Sequence, residues 1–311
     1  MRSAATTSAD EHWVFDAVRD LEALARTSPP ALARRLDAAL ARIAGMNGAS
    51  SLREALLRPA STPFVPAIDA CAEDLGLTGG ARVASMGRST VALYAYVRLQ
   101  DDLVDEPDRV DRASVYAAEA LLSEHLTHFA SAVSDARAHA WRARVMRRFA
   151  GVAATEVDDR DGEGSDEDLG WMGEKFLPMA VPLVGMAVMA GRDDDVAASL
   201  VEFVREVGTA LQLVNDVFNV AEDSAGGRTT PVLRWMRASN VDTSAPSARA
   251  TLLSDEALWR AIGEARRFTD AAERRANSLG FKALAGIARH AGAMVDRAPE
   301  RLCRLMLGMA V

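Results

Sequence analysis

Apolar positions recur at helical spacing along nearly the whole chain, and no segment alternates in the way that predicts a strand. Trp13, Phe15, Val18, Leu21 and Leu24 mark a first amphipathic helix, which stops at Ser28-Pro29-Pro30. Leu32 to Ile43 predicts a second helix, and residues 61–76 a short third. A long helix is predicted from about Gly80 to Asp105, ended by Glu106-Pro107. Residues 112–134 and 136–157 give two more, followed by an acidic, glycine-containing loop at 158–170. Residues 171–190 are apolar but carry Pro178 and Pro182, which predict a break or kink. A second long helix covers about 193–223. Shorter ones fall near 231–238, 254–278 and 281–307, the last divided around Gly292. The loops are short and no solenoid repeat is present. The expectation is all-α, a single domain over residues 1–311 with roughly ten to twelve helices and a flexible start at about 1–8.

Composition supports that picture and removes several function classes. Ala, Leu, Arg and Glu are strong helix formers and dominate the chain. With 36 basic and 44 acidic residues the net charge is −8, and no basic cluster stands out, so nucleic acid is a poor partner. The longest apolar run, Phe176 to Gly191, contains two prolines and is too short to span a bilayer, so no transmembrane segment is expected. The first residues lack an apolar signal region. Cys71 and Cys303 form no framework, are expected to be buried small apolar residues, and fit a cytoplasmic protein.

Two polar stripes interrupt the long apolar helices. In the first, ALYAYVRLQDDLVDE, Asp101 and Asp105 are four apart and share a helix face, with Arg98 and Tyr94 one and two turns back. Two carboxylates so placed repel each other unless a cation lies between them, and they sit at the end of the helix where the dipole disfavours them. A solvated face is the commoner use of such a pair; on a buried helix a divalent cation is the economical partner. In the second, GTALQLVNDVFNVAEDSAGGR, Asn215, Asn219 and Asp223 lie on one stripe, continued backwards by Gln212 and Gly208. Three oxygen donors in a row suit one Mg²⁺, and the alternative is a buried amide network. Arg228 follows a flexible Ala-Gly-Gly and is placed to close over a phosphate. Taken together, the stripes predict a helical cavity with metal ions on two walls, gripping a diphosphate.

The chain resembles the class I isoprenoid synthase superfamily on these residues. Tyr94, Arg98, Asp101, Asp102 and Asp105 are similar to the YxxxRxxDDxxD pattern of squalene and phytoene synthases. Ala210, Leu211, Gln212, Leu213, Asn215, Glu222 and Asp223, with Gly227, Arg228 and Pro231 downstream, are similar to the second motif of the same enzymes. Glu174-Lys175 resembles the lysine-bearing segment of the polyprenyl synthases, in a chain whose only other lysine is Lys282. Asn215, Asp216, Asn219 and Asp223 fall in the register of the terpene cyclase metal motif, with Asn for Ser/Thr and Asp for Glu. The second motif reads NDVFN where chain-elongating enzymes have DDxxD. The elements that hold isopentenyl diphosphate have no clear counterpart, and the Arg-Tyr pair of many bacterial cyclases is missing.

What the resemblance implies is a helical bundle with a central apolar cavity and Mg²⁺, three ions, as cofactor. Asp101 and Asp105, supported by Asp102, would hold metal, as would Asn215, Asn219 and Asp223. Arg98, Lys175 and Arg228 would take the diphosphate, and Leu93, Val97, Phe176, Met179, Met186, Leu211 and Gln212 would line the cavity. The leading expectation is a terpene synthase that ionises and cyclises farnesyl or geranylgeranyl diphosphate. The alternatives are a head-to-head prenyl transferase, a prenyl diphosphate synthase, or a non-catalytic partner of one; a homodimer is compatible with all of them. His125 and His128 have metal-ligand spacing but no third ligand nearby in the sequence, so a solvated helix face is expected for them.

Overall fold

The structure, a computed structural model, describes residues 10–45, 49–57, 63–77, 79–105, 110–158, 169–244 and 247–307. The start expected to be flexible, residues 1–8, and most of the acidic loop lie outside the described residues. Every regular element among the described residues is helical. They are α1 Asp10–Thr27, α2 Pro30–Gly45, α3 Leu52–Leu57, α4 Pro66–Asp74, α5 Ala81–Asp105, α6 Val115–Ala132 and α7 Ala136–Asp158. A 3₁₀ helix, Leu169–Met179, then precedes α8 Ala180–Met189 and α9 Asp194–Ala225. The chain continues through α10 Pro231–Ala238, α11 Ala248–Ser254, α12 Glu256–Ser278, α13 Lys282–Asp296 and α14 Ala298–Met306.

The contacts divide the chain into two compact units, where one domain is expected from the sequence: one of Met1–Val145 with Pro178–Ala198, the other of Met146–Leu177 with Ser199–Val311. In the first, α5 is the central element and packs on α1, α6 and α8. Helix α8 is buried on almost every side, as a helix without a polar face must be. Its Gly185 leaves room for Met86 and Phe129; a Cβ there would fall 2.7 Å from Met86 Cε. In the second unit, Leu213, Val217 and Val220 of α9 join Leu233 and Met236 of α10, Leu258 and Phe268 of α12 and Leu302 of α14 in one apolar core. Arg275 of α12 adds a forked pair to buried Glu206 of α9, at 2.7 and 3.0 Å.

Several boundaries differ from the sequence reading for physical reasons. Pro178 lies inside the 3₁₀ helix and α8 starts two residues later, so the expected break falls there. The third predicted helix starts only at Pro66, where proline suits a first turn. Helices α3 and α11 have six and seven residues, too short for a periodic signal. The C-terminal division falls at Arg297 and not at Gly292, which sits inside α13. A Cβ at Gly292 would meet an Arg266 guanidinium nitrogen at 2.1 Å, the end of a flexible side chain that can swing aside. Cys303 is exposed, contrary to expectation, whereas Cys71 is buried and its thiol is pushed up by desolvation. The stretch Leu169–Met189 is long and apolar enough to cross a membrane by length and composition, unlike the shorter run read from the sequence. It is 78% buried inside the protein and is broken between its 3₁₀ and α parts.

Candidate functional site

The first unit carries its acidic motif in the last turn of α5. Asp101 and Asp102 are half-buried, and arginines meet both. Arg98 Nη1 donates to Asp101 Oδ2 at 2.7 Å, and its other terminal nitrogen lies 3.8 Å from Asp102. Arg42, from α2, reaches Asp102 at 3.1 Å. Arg98 therefore bridges Asp101 and Asp102, a different pair from the Asp101 and Asp105 read as neighbours in the sequence. Burial pushes the Tyr94 phenol up against the opposing pull of Arg98, and Asp101 and Asp102 push it further. Asp105 ends α5, and its side chain lies outside the described residues. Leu93, Met179 and Met186 are buried and Val97 half-buried.

Arg42 also borders a hollow of about 380 Å³ lined by Arg34, Arg35, Arg42 and Asp111, among others. Asp111 pairs with Arg35, and its carboxyl is held low mainly by the Ala113 backbone N–H and then by that arginine. Three arginines thus face one acid in this hollow. The sequence reading found no basic cluster, because Arg42 is a helical turn and more away from Arg34-Arg35 and only folding shows where they gather.

In the second unit the motif lies within α9, held by close backbone approach. A Cβ on Gly173 would fall 1.9 Å from the Arg205 carbonyl oxygen, and one on Gly208 2.7 Å from the Phe176 ring. The 3₁₀ helix can therefore lie directly on α9, which brings Lys175 to the polar stripe. Phe176, Leu211 and Gln212 are half-buried. Gln212 Nε2 donates to Asp216 Oδ1 at 2.9 Å. Asp216 Oδ2 is buried and has no hydrogen-bond partner. Desolvation raises the Asp216 carboxyl to about 7; the Gln212 hydrogen bond lowers it, Asp223 raises it, and Lys175 and Arg234 lower it.

The rest of the stripe rotates partly outward. Asn215 is exposed, Asn219 half-buried, and Asn219 Nδ2 donates to Asn215 Oδ1 at 3.1 Å. Asp223 is only 5% exposed. Arg228 lies 3.5 Å from it, returned by a turn in which Gly227 has φ 69° and the Arg228 N–H bonds the Asp223 carbonyl. Glu222, quoted in the second motif, is exposed and pairs with Arg249. On α9 and α10 the sequence reading gave no role to Asp216, which it only quoted in the motif, and did not reach Arg234. The signal for Asp216 was its i, i+4 relation to Gln212, which sets a second stripe one residue round from the amide one.

The chain was compared with known proteins at three levels. No family model and no curated protein matches it. Solved structures do match. A geranylgeranyl pyrophosphate synthetase from the archaeon Geoglobus acetivorans superposes with a TM-score of 0.71 at 17% identity, covering 92% of this chain and 99% of its own. The chain has the all-α prenyl synthase fold. A heptaprenyl diphosphate synthase from Staphylococcus aureus shares that fold at a TM-score of 0.70 and 12% identity, covering 91% and 98%. A geranylgeranyl pyrophosphate synthase from Corynebacterium glutamicum, complexed with calcium and isoprenyl diphosphate, does so at 0.67 and 18%, covering 93% and 98%. The prenyl synthase fold carries acidic motifs here at the end of α5 and along α9.

The histidines differ from expectation. His125 is fully buried, bonds Ser89 Oγ through Nδ1 at 2.8 Å, and is lowered to about 4 chiefly by desolvation. His128 is half-buried beside Glu124, one turn back on α6, and beside Asp20 of α1, which its sequence position does not reveal.

Proposed function

We propose that this chain is a Mg²⁺-dependent prenyltransferase of the prenyl diphosphate synthase type, with residues 1–311 working as one isoprenoid synthase domain. It would join an allylic prenyl diphosphate to a second isoprenoid diphosphate. The observation that carries this over cyclisation is the arginine hollow of α2, tied to the acidic motif through the Arg42–Asp102 pair. A cyclase handles one diphosphate and has no use for a second basic site beside its metal ligands. The solved structures of the same fold, all described as prenyl diphosphate synthases, point the same way.

The residues suit magnesium. Asp216 Oδ2 is a buried carboxylate oxygen without a partner, and a hard cation is what such an atom accepts. Asp101, Asp102 and Asp105 would hold Mg²⁺ in one motif, and Asp216, Asn219 and Asp223 in the other, with Asn215 as the outermost donor. When bound, the ions neutralise the departing diphosphate as its carbon–oxygen bond breaks. Arg98 beside the first motif, and Lys175 and Arg228 beside the second, would each bind diphosphate oxygens, and Arg34, Arg35 and Arg42 would bind the second diphosphate. The buried apolar side chains Leu93, Met179 and Met186 keep water from the allylic cation.

A second reading, a terpene cyclase, is favoured by the Asn215–Asn219 amide pair, which stands where a carboxylate pair would complete DDxxD. One experiment separates the readings. The protein is incubated with Mg²⁺ and geranyl, farnesyl or geranylgeranyl diphosphate, each with and without isopentenyl diphosphate, and extracts are analysed by mass spectrometry. Products longer by five-carbon units support the prenyl diphosphate synthase. A hydrocarbon or alcohol of the substrate's carbon number, formed without isopentenyl diphosphate, supports the cyclase. Doubled carbon number supports head-to-head coupling. No diphosphate release from any substrate sinks all three.

A further inference from the structure

Away from both acidic motifs, three potential ligands from two helices converge in the first unit. Glu124 and His128 are one turn apart on α6, and Asp20 comes from α1. His128 Nε2 lies 3.0 Å from Glu124 Oε1 and 3.5 Å from Asp20 Oδ2, and the three donor atoms all lie within 4.8 Å of one another. We propose that Asp20, Glu124 and His128 form a binding site for a Zn²⁺-class divalent cation that clasps α1 to α6.

Two features favour a cation over simple pairing among these side chains. His128 Nε2 and Asp20 Oδ2 are buried, yet neither makes a hydrogen bond. The 3.0 Å approach of His128 to Glu124 therefore lacks hydrogen-bond alignment, which leaves the nitrogen able to take a cation. The spacing suits one. Ligands at about 2.0–2.1 Å from a tetrahedral zinc lie roughly 3.3 Å apart, close to both observed separations.

The donor set chooses the metal class. One imidazole with two carboxylates suits zinc and its first-row neighbours, whereas magnesium prefers oxygen alone. The side chains retain 13–26% exposure, so a water can complete the shell. The surrounding charges allow the change. Arg88 lies 3.4 Å from Asp20 Oδ2, but it also holds Asp16 at 2.8 Å and keeps that partner if Asp20 turns to a metal. Arg19, the other nearby cation, pairs with Asp16 as well. His125, one turn away, is neutral and is engaged by Ser89.

The test uses the full chain without a histidine tag. Co²⁺ is titrated in as an optical probe and displaced with Zn²⁺, for the wild type, His128→Ala, Glu124→Gln, Asp101→Asn and Asp216→Asn. One equivalent of Co²⁺ with tetrahedral visible bands is expected, weakened at least about tenfold in His128→Ala and Glu124→Gln and unchanged in the motif variants. Zn²⁺ is expected to raise the Tm of the wild type and not that of Glu124→Gln. Glu124→Gln keeps side-chain shape, so it stays informative if His128→Ala fails to fold. The proposal is overturned if no stoichiometric band forms, if binding survives both ligand variants, or if it is lost with Asp101→Asn.

Discussion

At the end of α5 the carboxylates of Asp101 and Asp102 are half-buried, and an arginine meets each of them. Midway along α9, Asp216 is buried with one oxygen unpaired and its carboxyl raised to about 7. The α5 acids lie close to water, each with an arginine partner from its own helix or from α2. Burial works against ionisation of the α9 acid, and Lys175 and Arg234 offset it only in part. One motif pairs its acids near solvent, and the other, with its raised carboxyl, offers charge on demand. The difference follows from position: α5 meets its motif at a helix end, whereas α9 is packed by α10 and α12 on the side next to Asp216.

The comparison can be broken most severely by removing a carboxylate from either side. Asp101→Ala and Asp223→Ala are each expected to slow diphosphate release by at least about 100-fold, read by a pyrophosphate assay under saturating Mg²⁺. If one loses its activity and the other keeps it, only one motif binds metal. Next comes the contact that holds Lys175 on α9. Gly173→Ala forces a methyl against the Arg205 carbonyl and is expected to cost about 3 kcal/mol in urea unfolding.

The third prediction addresses charge on demand directly. The folded-state value for Asp216 lies above the ordinary carboxylate value of 3.8, so the folded protein retains a proton that the unfolded chain gives up. That contribution to stability is full below about pH 4 and declines as pH rises toward 7. In the metal-free protein the loss is of order 4 kcal/mol, and Asp216→Asn should remove it. Thermal melts of both proteins from pH 5 to 8, in chelator, measure the slope; equal slopes contradict the buried-acid account. The smallest effect concerns the α2 hollow. Arg34→Ala is expected to raise KM for isopentenyl diphosphate about tenfold and to leave kcat within about twofold. A larger change in KM for the allylic substrate would instead assign the hollow to that substrate.

Much of this was legible in the sequence. The long helices α5 and α9 were visible from period and punctuation, and the 3₁₀ break from Pro178. Tyr94, Arg98, Asp101 and Asp223 stand out in the sequence as candidates because they are chemistry-bearing residues on apolar helices, Arg228 because it follows Ala-Gly-Gly, and Lys175 only through the family resemblance. Asp216 was quoted in the cyclase register but given no role, while Asn215, Asn219 and Asp223 were named as ligands. One helix residue turns the face by about 100°, and which side is buried was decided by α10 and α12, later in the chain. Asp20 was hidden as a neighbour of His128 for the same reason, since it meets it only through the packing of α1. Cys303 was misplaced because it sits near the end of the last helix, whose buried stripe runs instead through Ala298 and Leu302.

The buried proton on Asp216 has a thermodynamic signature. A cation that binds this carboxylate must displace that proton into solution. Near neutral pH the heat of magnesium binding should then change with the ionisation enthalpy of the buffer, and the apparent affinity should strengthen as the solution becomes more alkaline. Calorimetry in two buffers of equal pH would count the protons released, and so report the occupancy of the α9 motif even in the absence of substrate.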